Sequence, residues 1–227
     1  SPAPVPVTVV AGFLGAGKTT LLRGLLDGRG GKRVGVIVND LAAVNIDAAQ
    51  VRRWGTRRVK GAEEEEVTVV ELQNGCVCCS LSRDFLATVD TVARGVSPVD
   101  AVVVECSGVS EPSSIVENWR QARAAGLEVC AHAELDTLVT VVDATRFQEE
   151  LSSVDRVSSR KDLVERNMIP RGPAAPEYGN QPGLPGVSTH QLLLNADATV
   201  ASLLVGQAEC ADVLLLNKAD LVEGDGG

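Results

Sequence analysis

Six short segments of the chain are almost purely apolar and rich in β-branched residues: 5–11, 33–38, 67–72, 101–104, 138–142 and 213–216. Most are continuous runs rather than alternating ones, the pattern of strands covered on both faces. Helical patterns lie between them, over 18–26, 84–94, 112–125 and 196–209. This alternation of strand and helix predicts an α/β fold with a doubly wound, mostly parallel sheet. Two stretches break the rhythm. Residues 63–66 are four consecutive glutamates, a run that usually marks a solvated loop. Residues 152–190 are rich in Pro, Gly, Ser and Arg, and are expected to form a largely disordered insertion in one domain spanning 1–227. No internal repeat is visible.

The first strand runs directly into Gly12-Phe-Leu-Gly15-Ala16-Gly17-Lys18-Thr19-Thr20, which contains the full GxxxxGK[ST] pattern and opens a helix. Gly12, Gly15 and Gly17 allow a tight turn whose N–H groups face inward to phosphate oxygens. The helix N-terminus adds its dipole. Lys18 supplies a point charge to the β and γ phosphates, and Thr19 offers a hydroxyl to Mg²⁺. A Gly-rich turn with a chance Lys-Thr is the bland alternative, and the strand–loop–helix context argues against it.

Two further motifs follow predicted strands. Asn217-Lys218-Ala-Asp220 comes after the last apolar run, at the edge of the sheet where ligands bind in such folds. A carboxylate at Asp220 can accept two hydrogen bonds from guanine, a donor pair that adenine lacks. An NKxD alone is a weak signal and usually a polar loop; its place late in a P-loop domain favours guanine recognition. The segment Glu105-Cys-Ser-Gly108 ends another apolar run. It resembles the Asp-x-x-Gly of many GTPases, a likeness that implies that Glu105 would support Mg²⁺ and the Gly108 N–H would sense the γ phosphate. An ordinary strand-end carboxylate in solvent is the alternative, and the apolar run before Glu105 argues against it.

Cys76-Val-Cys78-Cys79 sets three thiols within four residues. Such a cluster can converge on one soft cation, Zn²⁺ or a relative. Three thiolates fall one short of a closed structural zinc site, which suggests an open or transferable one. A redox pair is the other reading; buried small hydrophobes would not be spaced this way. His132 and His190 read as surface or loop residues.

The formal net charge of −9 disfavours nucleic acid or a membrane surface as partner. No apolar run is long enough to span a bilayer. Bunched rather than dispersed cysteines fit a reducing compartment, so a cytoplasmic location is expected. The first residue is Ser1, so an organelle stroma or matrix would fit if an upstream transit peptide had been removed.

Taken together, these motifs resemble the CobW-type GTPases, a family of P-loop metallochaperones. The likeness rests on Gly12 to Thr20, Cys76-Val-Cys78-Cys79, Glu105 to Gly108 and Asn217 to Asp220. It also rests on the switch-like segment from Val38 to Asp47 and on Val141-Val-Asp143-Ala. The resemblance implies a GTP-binding and slowly GTP-hydrolysing protein that hands a metal ion to a client metalloprotein. The switch-like segment looks most like the branch associated with zinc homeostasis; other branches serve cobalt in cobalamin synthesis or nitrile hydratase activation. Lys18, Thr19, Glu105 and Asp40 would then surround the phosphates, Mg²⁺ and the attacking water. Cys76, Cys78 and Cys79 would hold Zn²⁺ or Co²⁺ as thiolates. Ala43 stands where the family often has a second acid, and the family's C-terminal domain is expected to be absent. An ATP-using P-loop transferase and a passive zinc or redox module are the competing readings.

Overall fold

The computed structural model describes residues 3–28, 30–38, 68–71, 83–95, 99–160, 163 and 198–222. Its elements, in chain order, begin with β1 (Val5–Ala11), α1 (Lys18–Asp27), β2 (Val34–Val38), β3 (Thr68–Glu71) and α2 (Arg83–Ala93). They continue with β4 (Ala101–Glu105), α3 (Pro112–Ala124), α4 (Val129–His132), β5 (Ala133–Asp143) and α5 (Phe147–Leu151). The last are α6 (Val200–Glu209) and β6 (Val213–Asn217), and short 3₁₀ turns cover Val157–Ser159 and Ala219–Leu221.

The strands form one sheet in the order β3-β2-β4-β1-β5-β6, and every pairing is parallel. Parallel pairing requires crossovers, which is why strand and helix alternate along the chain. β1 lies between β4 and β5, so its two faces feed two separate cores. Val7 and Val9 pack with Phe85, Val104, Ile115 and Trp119. Val10 packs with Leu22, Leu26, Val36 and Val103. A third apolar cluster joins Phe13, Val109, Val157, Leu163, Val200, Leu203 and Leu204.

Four differences from the sequence expectations have physical causes. β5 starts at Ala133, not at 138, because Glu134, Asp136 and Thr137 interrupt the apolar run while the backbone still pairs with β1. α4 and α5, of four and five residues, are too short to show a helical period. β6 is apolar yet not covered: Val213, Leu214 and Leu216 are 47%, 53% and 66% exposed, because β6 pairs with β5 at one edge of the sheet. Finally, part of the expected insertion is packed. Among residues 152–163, Val157 and Leu163 are buried in the third cluster, and Arg156 bridges Thr199 in antiparallel fashion. Their apolar side chains are too sparse in a polar, Pro-rich sequence to be picked out by pattern. The stretch from 164 to 190 lies outside the described residues, as does the glutamate run.

Candidate functional site

The loop between β1 and α1 is built on glycines with positive φ: 138° at Gly12, 75° at Gly15 and 107° at Gly17. Gly17 has a double requirement. It caps α1 in a left-handed conformation, and a Cβ on it would stand 2.1 Å from Asn217 Nδ2. Only glycine satisfies both the dihedral and the contact. The same Asn217 nitrogen donates to the Ala16 carbonyl at 2.8 Å. The start of the Asn217–Asp220 motif is thereby tied to the loop across 201 residues of sequence.

Lys18 is buried, and its ammonium donates to the Gly12 and Phe13 carbonyls at 2.9 and 3.0 Å. Thr19, one residue on, donates its hydroxyl to Glu105 Oε1 at 2.9 Å. Glu105 is the last residue of β4, and only 3% of its surface is exposed. Parallel pairing explains the meeting, since Val10 of β1 lies opposite Glu105 in register. The two strands therefore deliver the loop and the carboxylate to the same end of the sheet. Beside it, burial pushes the Cys106 thiol up to about 12; Lys18 opposes this shift and Glu105 adds to it.

Past Glu105 the chain turns over Ser107–Ser110, with Ser110 N–H donating to the Ser107 carbonyl at 3.0 Å. Gly108 lies against the P-loop so closely that a Cβ would sit 2.8 Å from the Leu14 backbone nitrogen. The first loop and the Glu105–Gly108 motif are thus in direct contact.

At the other flank, Lys218 has φ 59° and is the one non-glycine with positive φ among the described residues. That strained conformation is held by two contacts of its ammonium, with the Gly15 carbonyl at 2.9 Å and with Asp143 Oδ2 at 2.6 Å. Asp143 ends β5 and lies opposite Asn217 in the β5–β6 register. Its Oδ1 accepts from Thr145 N–H and Oγ1 at 3.0 and 2.6 Å. Burial would raise the Asp143 carboxyl, but hydrogen bonds from Lys218 and Thr145 outweigh it and hold it below the usual carboxylate range.

The structure therefore brings together Gly12, Gly15, Ala16, Gly17, Lys18, Thr19, Glu105, Gly108, Asn217 and Lys218. Thr20 is exposed on α1, and Asp220 is exposed in the turn Ala219–Leu221. Asp40, Cys76, Cys78 and Cys79 lie outside the described residues. The sequence points to Asp143 only through the Val141-Val-Asp143-Ala likeness and to Gln207 not at all, although both grip site loops. For Asp143 a signal existed: like Glu105, it is an acid that ends an apolar strand. For Gln207, a lone amide in a helix of apolar and small residues, no pattern singles it out.

The CobW/HypB/UreG nucleotide-binding domain matches residues 6–226, which is nearly the whole chain. The chain belongs to this family. As a CobW/HypB/UreG domain it is similar to zinc-regulated GTPase metalloprotein activator 1 of Dictyostelium discoideum. The two are 34% identical over 221 residues, covering 96% of this chain and 40% of that protein. It is also 28% identical over 229 residues to zinc chaperone CobW of a Sinorhizobium species, covering 98% of this chain and 53% of that one. A crystal structure of a Zn(II)-bound triple mutant of the YjiA GTPase is 25% identical, with a TM-score of 0.43, covering 66% of this chain and 43% of that one. The chain thus spans about half the length of the curated relatives it matches. No helix among the described residues is long and apolar enough to cross a membrane.

Proposed function

We propose that this domain binds GTP and hydrolyses it slowly, and that it uses the nucleotide state to govern the transfer of a zinc ion to a client metalloprotein. The observation that carries the nucleotide half is the Thr19–Glu105 contact of 2.9 Å beside a P-loop that Asn217 and Lys218 clamp from the opposite side. Support comes from Gly12–Thr19, Glu105–Gly108 and Asn217–Lys218, distant in sequence yet in mutual contact at one end of the sheet.

The residues fit Mg²⁺. A threonine hydroxyl and a buried carboxylate are hard oxygen donors at hydrogen-bond distance from each other, and they stand at a helix N-terminus. Bound Mg²⁺ would neutralise charge on the β and γ phosphates. Thr19 and Glu105 would hold it. Lys18 would add its charge to the phosphates, and the P-loop N–H groups would fix their orientation. Asp220 would read guanine, with Asn217 and Lys218 keeping its loop on the P-loop. Asp40 or Glu105 would orient the attacking water.

Zinc is the cargo in this reading. Cys76, Cys78 and Cys79 would hold it as thiolates. Support for zinc over cobalt comes from relatives named zinc chaperone and zinc-regulated activator. Support for a reducing, cytoplasmic setting comes from Cys106, Cys130 and Cys210, which are free thiols. The cysteine segment precedes Glu105–Gly108 in the chain and follows the P-loop, so ordering of these loops by a γ phosphate would bring the thiolates together.

The test is zinc affinity of the reduced protein, measured by competition with a chelating dye in Mg²⁺ plus GTP analogue and in Mg²⁺ plus GDP. Tighter zinc binding with the analogue, abolished by Cys78→Ser, is the expected result; cobalt run in parallel reports metal preference. Equal affinity in both nucleotide states would sink the coupling, because a ligand that binds two states equally shifts nothing.

A further inference from the structure

Helix α6 buries Val200, Leu203, Leu204 and Gln207. The first three join the third apolar cluster. Gln207 is different: it is polar, 1% exposed, and does two jobs at once. Its backbone carbonyl accepts from Thr140 Oγ1 of β5 at 2.7 Å, which fixes the helix to the sheet. Its side-chain Nε2 donates to the Gly108 and Ser110 carbonyls at 3.2 and 3.0 Å. One amide thus grips the loop after Glu105 on both sides of Val109.

The grip completes a sandwich. On its far side the loop meets Leu14 of the P-loop, with no room for a side chain at Gly108. Ser107 Oγ accepts from Val109 N–H at 3.4 Å from within the loop. Gln207 also borders a small cleft with Phe13, Leu14 and Asp143.

The amide is only half matched. Its Oε1 is buried without a hydrogen-bond partner among the described residues. The unmatched acceptor carries a desolvation penalty, which the two donor bonds to the Gly108 and Ser110 carbonyls offset. The side chain is placed for what its donors hold.

We propose that Gln207 is the positioning residue of the phosphate-sensing loop, and that its hold on Gly108 and Ser110 sets the domain's preference between nucleoside triphosphate and diphosphate. This rests on the reading of Gly108 as the γ-phosphate sensor. Among the described residues the Gln207 side chain donates to Gly108 and Ser110, not to the P-loop or the Asn217–Asp220 loop that would hold GDP. The triphosphate needs the Gly108 loop in place, and a loop released from Gln207 must be re-ordered at each binding event.

The experiment compares the wild-type chain with Gln207→Met, which keeps the length and volume but removes both donors. Affinities for fluorescent GDP and a non-hydrolysable GTP analogue are measured in Mg²⁺, alongside thermal unfolding. Losing two buried hydrogen bonds should weaken analogue binding by about tenfold, with GDP affinity within about twofold of wild type. Gln207→Glu, whose protonated carboxyl retains one donor, should recover part of the loss at low pH and give it up as pH rises. Hydrogen exchange over residues 105–111, with analogue and with GDP, separates the two ways of failing. No difference in the wild type would remove the sensor reading itself. A nucleotide-dependent difference in the wild type, with an unchanged analogue-to-GDP ratio in Gln207→Met, would overturn the role of Gln207 alone. Equal loss of both nucleotides, with lowered thermal stability, would reduce Gln207 to a structural residue and also overturn the proposal.

Discussion

Replacing Asp143 by Asn removes one negative charge and leaves the side-chain shape nearly unchanged. In the structure Asp143 Oδ2 accepts from Lys218 Nζ at 2.6 Å, and the two side chains are 12% and 35% exposed. A hydrogen bond between ionised partners contributes about 1.5–3 kcal/mol net. Solvent reaches Lys218, so screening brings this toward about 1–2 kcal/mol. Asparagine still accepts from Thr145 through its Oδ1, so the turn after β5 should persist. What is lost is the anchor that keeps Lys218 in its left-handed conformation and its ammonium on the Gly15 carbonyl. Guanine nucleotide binding must then re-form that arrangement, and the dissociation constant should rise by about 5- to 30-fold. Titration with fluorescent GDP in Mg²⁺ reads this directly. In a Lys218→Met background the same substitution should add almost nothing, because the partner is already gone. A dissociation constant for Asp143→Asn within twofold of wild type would refute the reasoning, since Lys218 would then hold its place without its counter-ion.

Other perturbations have equally definite outcomes. Leu22→Ala empties a fully buried position between α1 and the sheet and should cost about 2–5 kcal/mol, read by urea unfolding. The Asp100 carboxyl is held down to about 2 by side-chain and backbone hydrogen bonds from Arg33, whose guanidinium and N–H both donate to it. Its contribution to stability is therefore complete above the ordinary value of 3.8 and is lost as pH falls through about 2. Arg33→Gln, which keeps the backbone N–H, should move Asp100 upward but short of the ordinary carboxylate range in an NMR titration. Cys106, 1% exposed and with its thiol pushed up to about 12, should resist maleimide at neutral pH until denaturant is added, while the half-buried Cys130 and Cys210 react earlier. Peptide mapping of the labelled protein checks the order.

Much of the architecture was legible because it depends on local patterning. Each of the six predicted strands is present, and each predicted helix lies within a few residues of its expected place. Apolar runs bounded by glycine, proline and polar residues carry that information directly. The exceptions were elements whose reason lies elsewhere in the chain. The first half of β5 is polar enough to look like a loop, and it is a strand because β1 is beside it. Val157 and Leu163 sit in an unpromising sequence and are buried because α6 and Phe13 form an apolar surface for them.

The candidate site divides in the same way. Sequence by itself determined the chemical inventory: glycines at φ-positive turns, a lysine and threonine opening a helix, a carboxylate ending a buried strand, and Asn217 and Lys218 after another. These are local requirements, set by what each backbone conformation permits and what each side chain can donate or accept. Only the tertiary structure decided the partnerships. That Thr19 meets Glu105 follows from the register of β1 against β4. That Lys218 meets Asp143 follows from β5 against β6. The grip of Gln207 on Gly108 depends on α6 folding back over the end of the sheet, across 99 residues of chain. Hydrogen bonds reach about 3 Å, and no one-dimensional pattern states which distant groups the strand order will bring within that distance.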